Sequence, residues 1–193
     1  MEQAGETQAK DKEVAAGGDE MGKEIKKLKV LVAVDESEGS LYALSWFLDH
    51  LFFTQDGEVD QIFLIHVQQP FQPFVYPSGP SVFATTSVID SVRKAQKQNS
   101  EALIARAVQI CRNKLKEIKV QTVITDGEPK DVICHAIEQM NIDLAVVGSR
   151  GLGTFKRAFL GSVSDYCAHH AKCPILIVKP PQKLHQQEVH PHQ

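Results

Sequence analysis

Five short apolar runs punctuate the chain, and between them apolar residues recur every three or four positions. The first run, Val30-Leu31-Val32-Ala33-Val34, is continuous rather than alternating, the pattern of a strand covered on both faces. Ser37 follows as a helix cap, after which Leu41, Leu44, Leu48 and Leu51 fall at helical spacing. Ile62-Phe63-Leu64-Ile65-His66-Val67 predicts a second buried strand, and the alternating stretch Val120–Thr125 a third. Asp143–Val147 and Pro174–Val178 predict the fourth and fifth.

The intervening helices are equally legible. One runs from about Ser87 to Glu117 with Leu103, Ala107 and Ile110 on one face. Another starts at Pro129, whose fixed φ suits a first helical turn, and carries Val132, Ile133, Ala136, Ile137 and Met140 as its stripe. A short helix from Ser162 completes the order βαβαβαβαβ. Apolar strands separated by amphipathic helices predict an α/β fold, a five-stranded parallel sheet with helices on both faces, Rossmann-like in plan. Pro70, Phe71, Pro73, Phe74, Tyr76, Pro77 and Pro80 cannot lie in a helix or central strand, so residues 70–86 read as a long loop.

At 193 residues the chain suits one domain of the usual ~100–200 residues. Residues 28–180 form that domain. Residues 1–27 mix Glu2, Glu6, Asp11, Glu13, Asp19 and Glu20 with basic and small residues, and read as a disordered polar arm. The arm has neither the apolar stretch of a secretory signal nor the acid-poor character of an organellar transit peptide. Residues 181–193, with His185, His190 and His192, read as a flexible tail. A net charge of -3 argues against a nucleic-acid binder, and no apolar stretch is long enough for a membrane span. The expected residence is the cytosol. The four cysteines are too dispersed for a disulfide framework, and Cys167, His169, His170 and Cys173 lack the second ligand pair of a zinc site.

In an open parallel sheet, ligands bind beyond the carboxyl ends of the strands, where strand order reverses. After the fourth strand comes Gly148-Ser149-Arg150-Gly151-Leu152-Gly153, and Gly161-Ser162 opens the last helix. Glycines allow amides to turn inward, and a helix N-terminus adds unpaired donors and a positive dipole end. Two readings stand: a cradle for a polyphosphate, or a tight turn with ordinary helix capping. It is neither a P-loop nor a dinucleotide fingerprint, since no G-x-x-x-x-G-K-[ST] occurs and Lys156 replaces the final glycine of G-x-G-x-x-G. Asp35, just past the first strand, either bonds a ribose hydroxyl or closes an Asx turn. Val34 and Val67 end neighbouring strands and offer peptide groups that suit the edge of an adenine. His66 reads as a core histidine bonded to backbone.

The core resembles the universal stress protein family, particularly its plant-like single-domain members. Val32-Ala33-Val34-Asp35-Glu36-Ser37, Leu64-Ile65-His66-Val67 and Gly127-Glu128-Pro129 carry the resemblance. Most specific is Gly148-x2-Gly151-x9-Gly161-Ser162, which fits the family's ATP-binding pattern G-x2-G-x9-G-[ST]. The likeness runs from about Lys29 to Lys179. It implies an adenine nucleotide alpha hydrolase-like fold that binds ATP, or ADP or AMP, with any Mg2+ held by the phosphates. The adenine and ribose would lie near Val34, Asp35 and Val67. The phosphates would lie along Gly148, Ser149, Gly151, Gly161, Ser162 and Val163, with Ser164 donating a hydroxyl, and Val147 belongs to the same nucleotide-binding set. It also implies a homodimer paired through residues 174–178, and a role as a stress-response regulatory module.

Two other functions compete. An ATPase or phosphotransferase would draw charge from Lys156 and Arg157, yet no acid stands ready to hold Mg2+, so slow hydrolysis at most is expected. A chaperone-like interaction module would use the aromatic loop Phe71–Phe83 to engage a protein partner.

Overall fold

A computed structural model describes residues 27–51, 59–69, 86–115, 119–149 and 160–181. Strands β1 (Leu28–Ala33), β2 (Val59–Gln68), β3 (Lys119–Asp126), β4 (Leu144–Gly148) and β5 (Ile175–Val178) alternate with helices α1 (Glu38–His50), α2 (Thr86–Lys114), α3 (Pro129–Gln139) and α4 (Ser162–His170). All pairings are parallel and the sheet order is β3-β2-β1-β4-β5. The chain therefore builds outward from β1 through β2 to β3, then crosses back to lay β4 against β1's other side. That reversal puts the switch point, beyond which such sheets bind ligands, at the carboxyl ends of β1 and β4.

Period-two alternation in the inner strands divides the core in two. Val30, Val32, Ile62, Leu64 and Val146 face α1 and α2, where Leu44, Phe47, Leu48, Leu103 and Ala107 cover them. Leu31, Phe63, Ile65 and Ala145 face α3 and α4, meeting Ile133, Ile137 and Cys167. Each fully buried Leu, Ile or Phe contributes roughly 1.5–3 kcal/mol, so these paired layers hold the strand ends in place.

Local signals act as expected at most boundaries. Ser37 caps α1 through its side chain, and Pro129 occupies the first turn of α3. Gly127 adopts φ 144°, and a Cβ there would lie 2.7 Å from Val132, so glycine is required at this bend. Leu51 departs from the expected stripe: it is the C-cap of α1 and is 43% exposed, because the helix ends before the face returns to the core. The arm, residues 70–85, the glycine loop from Arg150 to Phe159 and the tail after Pro181 lie outside the described residues.

Candidate functional site

The β1 exit is tied down by a knot of short polar side chains. Asp35 Oδ1 accepts hydrogen bonds from the Ser37 amide, at 3.1 Å, and from the Ser37 hydroxyl. Ser37 Oγ in turn accepts from the Ser40 amide as the α1 cap. The buried Ser40 hydroxyl accepts from the Asp35 amide at 3.0 Å and faces the carbonyls of Asp35 and Ser37. Asp35 thus closes an Asx turn. The second carboxylate oxygen has no hydrogen bond among the described residues, so the turn does not exhaust the side chain.

At the neighbouring strand end, Val34 and Val67 fare differently. The Val34 amide donates to Ile65 O at 2.9 Å, and the Val34 carbonyl accepts from His66 Nδ1 at 3.0 Å. Both peptide groups of Val34 are engaged within the fold. Val67 is registered against Thr125 of β3, but the β1 pairing stops at Ala33–Ile65. Peptide groups alternate sides along a strand. Gln68 O accepts from Gly127 on the β3 side, so Val67 turns its N–H and C=O the other way, over the end of β1. Of the two valines, Val67 offers the edge whose peptide groups have no partner among the described residues.

His66 is buried, as a core histidine should be. Its Nε2 lies 3.0 Å from Ser100 Oγ, which also accepts from Gln68 Nε2 at 2.6 Å. Ser100 and Gln68 were not singled out from sequence. The available signal was a serine on the buried stripe that continues through Leu103, Ile104, Ala107 and Cys111.

Across the switch point, β4 ends in Gly148 and the buried Ser149. The Ser149 amide donates to Val178 O at 2.8 Å, and its carbonyl accepts from the Gly161 amide at 2.8 Å. The first bond ties the end of β4 to β5, and the second seats the start of α4 beside it. The Ser164 hydroxyl donates to Gly161 O at 2.9 Å and lies 3.3 Å from Ser149 O, reinforcing the same junction. Gly161 is the N-cap and supplies no side-chain cap, while intrahelical bonding begins with Asp165 N to Gly161 O. The amides of Ser162, Val163 and Ser164 have no acceptor among the described residues. Three unpaired N–H groups at the positive end of a helix suit an anion. Val147 is buried one residue earlier and supports this edge. Gly151, with Lys156 and Arg157, falls outside the described residues.

The remaining chemistry lies elsewhere. Cys134 Sγ sits 3.8 Å from Cys167 Sγ between α3 and α4, and burial pushes the Cys167 thiol up to about 12. No group of three or more metal-binding side chains occurs among the described residues. No helix there is long and apolar enough to cross a membrane.

The order β3-β2-β1-β4-β5, reversing between β1 and β4, defines an open, doubly wound α/β protein. Residues 28–179 match the universal stress protein family, and the chain belongs to that family. It is 34% identical over 162 residues to a universal stress protein A-like protein of Arabidopsis thaliana, covering 78% of this chain and 89% of that protein. It is 30% identical over 151 residues to the universal stress protein YxiE of Bacillus subtilis, covering 78% and 98%. Among solved structures, UspA from Lactobacillus plantarum superposes with a TM-score of 0.62 at 21% identity, covering 79% of this chain and 98% of that one. A universal stress protein family protein of Arabidopsis thaliana, solved with AMP bound, gives a TM-score of 0.59 at 27% identity, covering 83% and 97%.

Proposed function

We propose that this protein binds an adenine nucleotide, ATP or its ADP and AMP counterparts, at the β1–β4 switch point, and serves as a stress-response regulatory module. One observation carries the reading: the first-turn amides of α4, the second oxygen of Asp35 and the β1-facing peptide groups of Val67, none with a partner among the described residues, share one end of the sheet. They match, in kind, a phosphate group, a ribose hydroxyl and the edge of an adenine. The Arabidopsis family protein solved with AMP bound supports adenine nucleotide binding in general. Gly148, Ser149 and Gly161 would shape the phosphate end, with Gly151 completing the bend and any Mg2+ held by the phosphates themselves.

Binding rather than turnover is the favoured activity. Phosphoryl transfer needs an acid that holds the metal and a positioned nucleophile. Asp165 is exposed on α4, and Asp35 has one oxygen committed to Ser37. Calorimetric titration of the purified chain with ATP, ADP and AMP tests the proposal. One site per chain is expected; no heat at millimolar nucleotide would overturn it.

A further inference from the structure

We propose that His66 is the residue that ends the β1–β2 ladder one rung early, and so leaves Val67 available to read a purine base. In a parallel pair, one residue donates to the partner before its opposite number and accepts from the partner after it. Val34 makes the first of these bonds, to Ile65 O at 2.9 Å. The second would join Val67 N–H to Val34 O. It is absent, His66 Nδ1 lies 3.0 Å from Val34 O in its stead, and the paired register closes at Ala33–Ile65.

The tautomer follows from the partners. A carbonyl can only accept, so Nδ1 carries the proton. Ser100 Oγ accepts from Gln68 Nε2, which leaves its own hydroxyl hydrogen able to point at His66 Nε2. The chain of donors runs Gln68, Ser100, His66, Val34 without a conflict. Glu36 Oε1, 3.7 Å from Nε2, is half-exposed and stands outside that relay. Because Ser100 lies on α2, the imidazole is fixed from both sides. It is a positioning residue: it touches no nucleotide, but it sets which backbone groups remain at the edge.

The functional consequence rests on the nucleotide reading; the ladder geometry does not. Two substitutions separate the roles of the ring nitrogens. His66→Asn places an amide near the Nδ1 position and can still donate to Val34 O, while losing Ser100. His66→Gln reaches the Nε2 position and can still bond Ser100, while releasing Val34 O to Val67.

The experiment is amide hydrogen exchange by NMR at Val67, with AMP and GMP titrations of each variant; circular dichroism and thermal unfolding confirm that both fold. In the native chain and in His66→Asn, the Val67 amide should exchange rapidly and gain protection with AMP. In His66→Gln it should be protected without nucleotide, and AMP affinity should fall about tenfold, the effect of one hydrogen bond. The preference for AMP over GMP should shrink with it. Identical Val67 exchange in the native chain and His66→Gln would overturn the proposal. If the exchange pattern holds but the native chain binds no AMP, the ladder role of His66 stands and the nucleotide reading fails.

Discussion

Gly148 at the end of β4 lies against Gly39 in the first turn of α1: a Cβ on Gly148 would sit 3.1 Å from the Gly39 carbonyl carbon and 3.2 Å from the Ser40 amide nitrogen. Both neighbours are backbone, and Ser40 is locked into the Asp35–Ser37 knot, so neither can yield cheaply. This glycine of the G-x2-G-x9-G-[ST] pattern is therefore needed for packing, whatever else it does.

Gly148→Ala should lower unfolding stability by about 1–3 kcal/mol, the usual cost of overpacking. For a domain of this size that is a fall of roughly 2–4 °C in Tm per kcal/mol. Thermal unfolding checks it; an unchanged Tm would mean that α1 and β4 separate more easily than their contact suggests. Weak nucleotide binding by this variant, taken alone, would not identify a phosphate contact.

Asp35 divides its two oxygens between fold and site, and two substitutions distinguish those uses. Asp35→Asn keeps an acceptor for the Ser37 amide, so stability should stay within about 0.5 kcal/mol of the native chain. Removing the acceptor with Asp35→Ala should cost roughly 1 kcal/mol, typical of a lost side-chain turn bond. In both, AMP affinity should drop about tenfold or more, since a hydrogen bond to a charged group is worth about 1.5–3 kcal/mol. Unaltered AMP binding by Asp35→Asn, measured by calorimetry, would remove the ribose contact from the site.

Burial raises the Cys111 thiol to about 11 and the Cys167 thiol to about 12, from an ordinary value of 9.0. Folding therefore favours the protonated thiols. That stabilisation is complete below pH 9 and disappears as the pH climbs through the folded-state values. Denaturant midpoints should fall steadily above about pH 9, and a Cys111→Ala, Cys167→Ala double variant should flatten that limb. At pH 8, iodoacetamide should label the half-buried Cys134 and Cys173 first, and the two buried thiols only on unfolding. Rapid labelling of Cys111 in the native state would contradict its place on the buried face of α2.

The five strands and four helices were legible because each inner strand is a continuous apolar run and each helix keeps its stripe. What escaped sequence reading depended on where elements stop and on which neighbours they meet. Val34 and Val67 look equivalent as strand-end valines, yet Ile65 O and His66 Nδ1 hold the amide and carbonyl of Val34, while those facing β1 on Val67 have no partner among the described residues. At Asp35 the turn-forming and ligand-facing readings looked like alternatives, but a carboxylate has two oxygens and the turn uses one. The packing demand at Gly148 arises from Gly39, more than a hundred residues earlier, and no local pattern reveals it. Ser100 was the partial exception: a hydroxyl on an otherwise apolar stripe signals a buried polar partner.

β5 is an edge strand of the sheet. The Ala145 amide donates to Pro174 O and the Ser149 amide to Val178 O, so the even-numbered residues of this strand face β4. By alternation, Ile175 and Ile177 direct their N–H and C=O groups outward, where the sheet order ends. Such an edge, rich in β-branched residues, is an aggregation hazard unless covered, and a second copy of the chain is the expected cover. Ile177→Pro removes one outward donor without touching a β4 bond, a position where an edge strand tolerates proline. Sedimentation should show the native chain as a dimer and Ile177→Pro shifted toward monomer, with AMP binding retained. A native chain that sediments as a monomer, or an Ile177→Pro dimer as tight as the native one, would place any self-association elsewhere.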